Sequence, residues 1–397
     1  MKNAECGGRM KLRKHKASRM DVKIPVSMVE CYVKKNSLVI QSKDFLKTLS
    51  SAVLNGGLCQ AKTIINHQVS KSYRHSRPEE YLKRVVKELR LPTPVVGLMT
   101  AANVANFSLQ VSKYAEKRYV CAITTAGLSN AAAAGEIVRV NSKFSTINTI
   151  ILIDGNLTDA CMVDLVKTAT EAKIIALREF DVRSRISGKQ ATGTTTDAIV
   201  IACTGRGKPL RYGGTATHLG EAVSLTVYRS IKEAIMKEEK LTPERSLISR
   251  LKERGITFKS MVEAGMEMLV YHPSMGRREK IAKILAQNLR EALSDVNVAS
   301  LVLAGLRLEE DGQVGLIPGI TAKVFQNDPV FLLADELLGM NIANYIAGSC
   351  GIFEFVRFDK AKPGILRKLG PFLDDVIGGL IAGASSKMYS QLNKKGS

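Results

Sequence analysis

The chain has 397 residues, 45% of them hydrophobic and 24% charged, with a formal net charge of +21. That length suits two globular domains with separate cores, and seven scattered cysteines without a CxxC pair exclude a disulfide framework and a structural zinc site. The basic residues are dispersed, aromatics make up only 5%, and no helix-turn-helix or zinc-finger spacing occurs, so the positive balance reads as a solvated surface that attracts anionic small molecules rather than nucleic acid.

Residues 1–20 carry seven Lys/Arg against one Glu and are expected to form a disordered basic tail, without the apolar segment of a secretory signal. From Val22 to about Lys43 apolar residues alternate around a Lys-Lys-Asn-Ser turn, the pattern of a β-hairpin. Four short runs rich in β-branched residues, at 94–100, 119–125, 148–154 and 198–204, read as buried strands. Residues 157–173 place Met162, Leu165, Val166 and Ala169 on one helical face with Thr158 as N-cap, and 220–240 form a second amphipathic helix. Strands alternating with helices predict an α/β domain with a mixed sheet over 21–240.

At Leu241-Thr242-Pro243 the texture changes, and Thr242 as N-cap with Pro243 at the first helical position predicts a new helix. Helical segments are expected at 244–254, 258–269, 278–294, 296–306, 328–347 and 371–391, so residues 241–397 are expected to be an all-α domain. No stretch offers twenty uninterrupted apolar residues, and the protein is expected to lack a transmembrane segment and to be cytoplasmic.

The densest chemistry lies in the last third. Asp335 and Glu336 are expected mid-helix, and Asp374 and Asp375 in another helix with Gly378 and Gly379 one turn on. Carboxylates among Leu, Ile, Val and Phe are costly to bury without a partner. A Mg²⁺ ion held by Asp335, Glu336, Asp374 and Asp375 would be such a partner. Arg357 and Lys362 bring positive charge for a phosphate, Asp359 lies between them, and Pro363 should end the segment just after Lys362. The pattern points to metal-dependent phosphomonoester hydrolysis; the alternative is a structural network in which Arg357 and Lys362 pair with Asp335 and Glu336.

These motifs, Asp335-Glu336, Arg357-Phe358-Asp359-Lys360-Ala361-Lys362-Pro363 and Asp374-Asp375-Val376-Ile377-Gly378-Gly379, resemble the phosphatidylglycerophosphatase A family over roughly 245–390. The resemblance implies Mg²⁺ dependence and attack on a phosphomonoester. The segment is more similar to the soluble archaeal branch that acts as α-ribazole-5′-phosphate phosphatase than to lipid-acting members.

In the first domain four polar, Gly-containing stretches follow predicted strands: 124–131, 145–157, 191–198 and 213–222. Thr, Asn and Gly at strand ends are typical of α/β binding sites. Thr125, Asn130, Asn148, Gly193 and Thr194 are candidate substrate binders, and Thr194, Thr195 and Thr196 candidate nucleophiles beside attack by water. His218, three residues before Glu221, is a candidate acid or base or a structural histidine. Asp197 either orients a water or caps a helix. Together the stretches resemble the adenosylcobinamide amidohydrolase family over about 45–237, through Thr125 to Ala131, Thr146-Ile147-Asn148, Thr170 to Lys173 and Ala191 to Ala198.

The two resemblances converge on cobalamin salvage. They imply a bifunctional hydrolase that cleaves the aminopropanol amide of adenosylcobinamide to adenosylcobyric acid and dephosphorylates α-ribazole 5′-phosphate, with the corrinoid as substrate and no organic cofactor. A lipid phosphatase fused to a non-catalytic corrinoid-binding domain is the alternative.

Overall fold

The structure is a computed structural model that describes residues 19–73, 76–137 and 145–393. The chain divides after Pro243 into two compact units, each taken here by itself. The expected basic tail lies outside the described residues as far as residue 18; Arg19 pairs with Asp21 and Glu30, and Met20 already belongs to a strand.

Nine strands of the first unit make one mixed sheet: β1 (Met20–Val22), β2 (Val29–Lys34), β3 (Ser37–Ser50), β4 (Gly57–Gln68), β5 (Val95–Thr100), β6 (Ser108–Ala115), β7 (Arg118–Ala126), β8 (Ile147–Ile153) and β9 (Ala198–Cys203). The order is β1-β2-β3-β9-β8-β7-β6, with β4 on the other side of β3 and β5 beyond it. The β4–β5 and β8–β9 pairs are parallel, as their helical crossovers require; those crossovers are α1 (Pro78–Leu89) and α2 (Asp159–Glu179). A third helix, α3 (His218–Glu239), follows β9. The expected hairpin is β2–β3, turning at Lys35 and Asn36, both with positive φ. The runs at 94–100, 119–125, 148–154 and 198–204 are β5, β7, β8 and β9. The structure adds β4, β6 and α1; edge strand β6 buries little, which leaves its apolar signal weak.

Both faces of the sheet are covered. Along β8, Ile151 and Ile153 pack under α2 and α3, while Ile150 and Leu152 join Ile40, Ile64 and Leu98. The sheet therefore curls until its β3–β5 and β7–β9 portions share an inner core, each fully buried isoleucine contributing about 1.5–3 kcal/mol. Thr158 caps α2 by accepting from Cys161 N. Helix α1 packs on the outer face through Leu82, Val85, Val86 and Leu89. Buried His67 ties it down, with Nδ1 2.8 Å from Ser37 Oγ and Nε2 3.2 Å from Tyr81 Oη.

The second unit is helical: α4 (Leu247–Glu253), α5 (Phe258–Glu267), α6 (Arg278–Ser294), α7 (Val296–Gln313), α8 (Ala322–Phe325), α9 (Ala334–Ala361) and α10 (Pro371–Asn393). Ser246, not Thr242, caps α4, accepting from Ser249 N. Residues 241–245 form a turn instead, closed by Arg245, whose guanidinium donates to both Glu253 oxygens at 2.8 and 2.6 Å. Helix α10 is the core of the unit, buried almost throughout from Pro371 to Ser386.

Helix α9 is broken at Ala347 and Gly348, where Gly348 takes a positive φ of 60°. Its second half folds back on the first, so that Phe355 lies against Gly339 and Gly351 against the Ala343 carbonyl. Helix α10 crosses this hairpin at glycines: a Cβ on Gly339 would lie 2.5 Å from Asp375 O, and one on Gly379 would collide with Gly339 O. The absence of side chains there is what lets the two backbones touch.

Two outcomes follow. Alanine at Gly379 gains about 1 kcal/mol of helix propensity but overpacks the crossing at a cost of about 1–3 kcal/mol, and Gly379→Ala is expected to lower the stability of the second unit by up to about 2 kcal/mol net, read by denaturant unfolding. Burial lowers the His67 pKa below its usual 6.5, so the folded state binds fewer protons than the unfolded chain below that pH. The first unit should lose stability as pH falls through 6.5 toward the folded pKa, and His67→Gln should flatten that slope in melting curves.

Candidate active sites of the two units

At one end of the curled sheet the aliphatic inner core gives way to a tier of amides and hydroxyls. Asn148 Nδ2 donates to Asn66 Oδ1 at 2.9 Å and Met99 O at 2.8 Å, Thr146 Oγ1 donates to Asn148 Oδ1 at 3.0 Å, and Asn66 Nδ2 donates to Thr125 Oγ1 at 2.9 Å. All four side chains are buried, and the bonds meet the requirement that buried amides be paired. Above the tier opens a pocket of about 590 Å³ lined by Tyr73, Met99, Thr100, Ser145, Thr146 and Thr196 among others.

Three of the four predicted stretches meet here. Asn130 Nδ2 donates to Thr195 Oγ1 at 2.7 Å, Thr146 Oγ1 approaches Thr196 O at 2.8 Å, and Ala131–Ala132 pair with Gly193–Thr194 as a short ribbon. The individual assignments change, however. Asn148 and Thr125 belong to the buried tier and carry the pocket floor without facing a ligand. Asp197 accepts from Lys173 Nζ at 2.6 Å, Ile147 N at 3.0 Å and Thr194 N at 3.1 Å, and also from the Thr194 hydroxyl. It caps no helix, since β9 follows it, and its oxygens are taken up in clamping the entries of β8 and β9. Gly193 is there because a Cβ would collide with Asp197, and Thr194 has its hydroxyl committed to the same clamp. Asn130 fits its predicted role better: its Oδ1 is buried with no hydrogen-bond partner among the described residues.

The fourth stretch does not join them. It starts α3, whose far end meets the site, Leu128 N donating to Glu239 Oε1 at 2.6 Å. His218 opens the helix, 21 residues earlier and about 31 Å along its axis. Its side chain is 93% exposed, with Glu221 4.0 Å away. The i, i+3 spacing is therefore real, but the helix carries the pair to the wrong end of the sheet. Thr146 and Thr196 each stand two residues from the chosen Asn148 and Thr194, and they line the pocket where Asn148 is taken up in the tier and the Thr194 hydroxyl in the clamp.

The second unit gathers its acids through the α9 hairpin. Asp335 and Glu336 lie in the first turn of α9 rather than mid-helix, Asp374 and Asp375 lie near the start of α10, and Asp359 and Lys362 return on the second half of α9. Helix N-termini favour negative charge, and both doublets use one. One carboxylate oxygen each from Asp335, Glu336 and Asp375 fall within 4.8 Å of one another. Asp335 Oδ2, Glu336 Oε2, Asp374 Oδ1 and Asp375 Oδ1 are buried and have no hydrogen-bond partner among the described residues. Buried carboxyl oxygens left without hydrogen-bond partners suit a hard divalent cation such as Mg²⁺, and the residues fit that ion.

The electrostatics agree. Burial, reinforced by the Glu336 carboxyl, pushes Asp335 up to about 8, and burial with its acidic neighbours pushes Asp375 up to about 9. Asp374 rises only to about 6, because Lys362 Nζ lies 2.5 Å from its Oδ2 and opposes the effect of burial. Lys362 also reaches Asp328 Oδ2 at 3.3 Å. It is the left-handed residue that terminates α9, with φ 42°, directly before Pro363.

Arg357 is not part of this group. Its Nη1 donates to both Glu354 oxygens at 2.8 Å and its Nη2 to Met268 O at 3.1 Å, on the side of the helix away from Asp359. The ion network of Arg357 and Lys362 with Asp335 and Glu336 is likewise not formed. Asp328 and Glu309 are additions. Asp328 sits in the loop before α9, because that helix begins at Ala334 rather than at the expected residue 328. Buried Glu309 of α7 accepts from Phe372 N at 3.1 Å and so caps α10, and a side chain on Gly370 would collide with it.

Residues 23–243 match the adenosylcobinamide amidohydrolase family, and residues 257–390 match the phosphatidylglycerophosphatase A family. An adenosylcobinamide amidohydrolase of Methanosarcina mazei is 29% identical over 216 residues, which cover 52% of this chain and 98% of that protein. An uncharacterized protein of Methanocaldococcus jannaschii is 37% identical over 132 residues, covering 32% of this chain and 99% of its own length. The crystal structure of low temperature requirement C protein from Listeria monocytogenes is 30% identical and covers 37% of this chain and 94% of that one, with a TM-score of 0.33. The first family match takes in more than half of the sequence, and the chain belongs to the adenosylcobinamide amidohydrolase family, with a phosphatidylglycerophosphatase A-like domain at its C-terminal end.

Proposed function

We propose that the chain is a bifunctional hydrolase of cobalamin salvage and biosynthesis. The first unit hydrolyses the aminopropanol amide of adenosylcobinamide to adenosylcobyric acid; the second, with Mg²⁺, dephosphorylates α-ribazole 5′-phosphate. The observation that carries the phosphatase reading is the meeting of Asp335, Glu336 and Asp375, whose oxygens lie buried and unpartnered within 4.8 Å of one another.

In the second unit Asp335, Glu336 and Asp375 would hold the ion, which when bound polarises a phosphate oxygen and lowers the pKa of a coordinated water. Lys362, fixed by Asp374, presents a point charge to the phosphate oxygens. Asp359, half-buried beside Asp375, takes the proton of the attacking water at its carboxylate. Helix α9 ends at Ala361 with Lys362 as its cap and Pro363 next, so Lys362 is delivered by a rigid cap rather than by a free loop.

In the first unit the 590 Å³ pocket is smaller than a corrin ring with its amide arms and suits the arm that bears the scissile bond. Thr196 Oγ1 donates to Ser145 O at 2.8 Å and keeps its lone pairs for the N–H of an amide. Thr100 Oγ1 accepts from Ala102 N at 3.0 Å and keeps its own proton for a carbonyl oxygen. The buried tier beneath fixes these hydroxyls, and water is the attacking nucleophile.

Product analysis with adenosylcobinamide, α-ribazole 5′-phosphate and phosphatidylglycerophosphate, with and without Mg²⁺, tests the assignment. Release of aminopropanol and of α-ribazole, the latter only with Mg²⁺, is expected; turnover of the lipid alone would overturn the phosphatase substrate. Asp375→Asn should cut phosphate release at least ~100-fold and leave amide hydrolysis unchanged. Thr196→Val should raise KM for cobinamide by about 2- to 10-fold through one lost hydrogen bond, whereas His218→Ala should leave both kinetic constants unaltered.

A further inference from the structure

The acidic cluster of the second unit is divided in two. Asp335, Glu336 and Asp375 have no lysine or arginine partner among the described residues. Asp374, next in sequence to Asp375, and Asp328, from the loop before α9, instead converge on Lys362 Nζ, at 2.5 and 3.3 Å. Two carboxylates from separate elements closing on one point is the arrangement that a second divalent ion would need, and paired metal centres of phosphate-cleaving enzymes bind their ions about 3.5–4 Å apart. Here the point where Asp374 and Asp328 converge holds an ammonium group. Asp374 Oδ1, in a side chain only 7% exposed, remains buried without a partner beside it.

We propose that Lys362 occupies the place of a second metal ion, so that the centre takes one divalent cation and the ammonium supplies the other positive charge. This inference rests on the metal-dependent phosphatase reading above. The backbone supports it: Lys362 is locked in the left-handed region, its N–H bonded to Phe358 O at 2.7 Å, and Pro363 follows directly. An ammonium has three N–H donors. Asp374 and Asp328 use two, and the third, on a side chain 36% exposed, is left for a phosphate oxygen. A lysine here binds phosphate as a permanent resident, independent of the concentration of free metal, and only the Asp335–Glu336–Asp375 ion is exchangeable.

The test uses the full chain, stripped with EDTA and titrated with Mn²⁺ alone, read by calorimetric stoichiometry and by electron paramagnetic resonance. The wild type should bind one tight ion per chain and give the six-line spectrum of an isolated Mn²⁺. Lys362→Met, which keeps the stem and removes the charge, should bind two and give an exchange-coupled spectrum; Lys362→Met with Asp328→Asn should return to one. Two coupled ions in the wild type, or a single uncoupled ion in folded Lys362→Met, would overturn the proposal. The wild-type stoichiometry decides even where the variant does not fold. Tight Mn²⁺ binding that survives Asp375→Asn, or none in the wild type, would instead remove the metal-site reading itself.

Discussion

Four buried carboxylate oxygens have no hydrogen-bond partner among the described residues, and the second unit is organised around that cost. A buried carboxylate without a compensating charge is among the most unfavourable groups a protein can hold. The glycines of α9 and α10 make it unavoidable. With Gly339 and Gly379 in backbone contact, the residues one turn earlier on each helix are brought together, and those residues are acidic. Glu309 at the start of α10 and the reversal at Gly348 fix the same geometry from either side. The unit therefore gathers buried acidic groups on a fixed scaffold, the charge distribution on which the proposed cation site rests.

The first unit solves the opposite problem. Its polar groups at the sheet end are numerous but mutually satisfied, Asn66, Thr125, Thr146 and Asn148 forming a closed tier between the aliphatic core and the pocket. Such a tier is rigid, because each amide would lose a paired hydrogen bond by turning. It holds the hydroxyls above it in fixed positions, which is what a site for an amide-bearing ligand requires. Asp197 does similar work from the outer face, where its pairing with Lys173 anchors the segment that leads into β9.

Much of this was legible in the chain. Short β-branched runs gave β5, β7, β8 and β9, since strands buried on both faces must be apolar at successive positions. Pro363 located the end of α9 because it has no N–H to extend a helix. The acidic doublets pointed to the cluster of Asp335, Glu336 and Asp375 by their improbable setting. What escaped were residues whose role depends on partners distant in sequence. Arg357 looked available beside Asp359, but two residues on a helix face nearly opposite ways, and Glu354 one turn earlier claims it. His218 and Glu221 had good local spacing at the wrong end of a helix. Asp328 was expected at the start of a helix that in fact begins at Ala334, and its partner Lys362 lies 34 residues away.

The sequence by itself determined the two fold classes, the families, and the residue types from which each site is built, because periodicity and local motifs are properties of neighbouring residues. The tertiary structure alone decided which of those residues meet. Gly339 and Phe355 meet only because the chain reverses at Gly348, and Thr196 rather than Asp197 faces the pocket only because the clamp to Lys173 turns the carboxylate outward. Contacts between distant residues follow from how backbones cross and curl, and no local pattern along the chain encodes that.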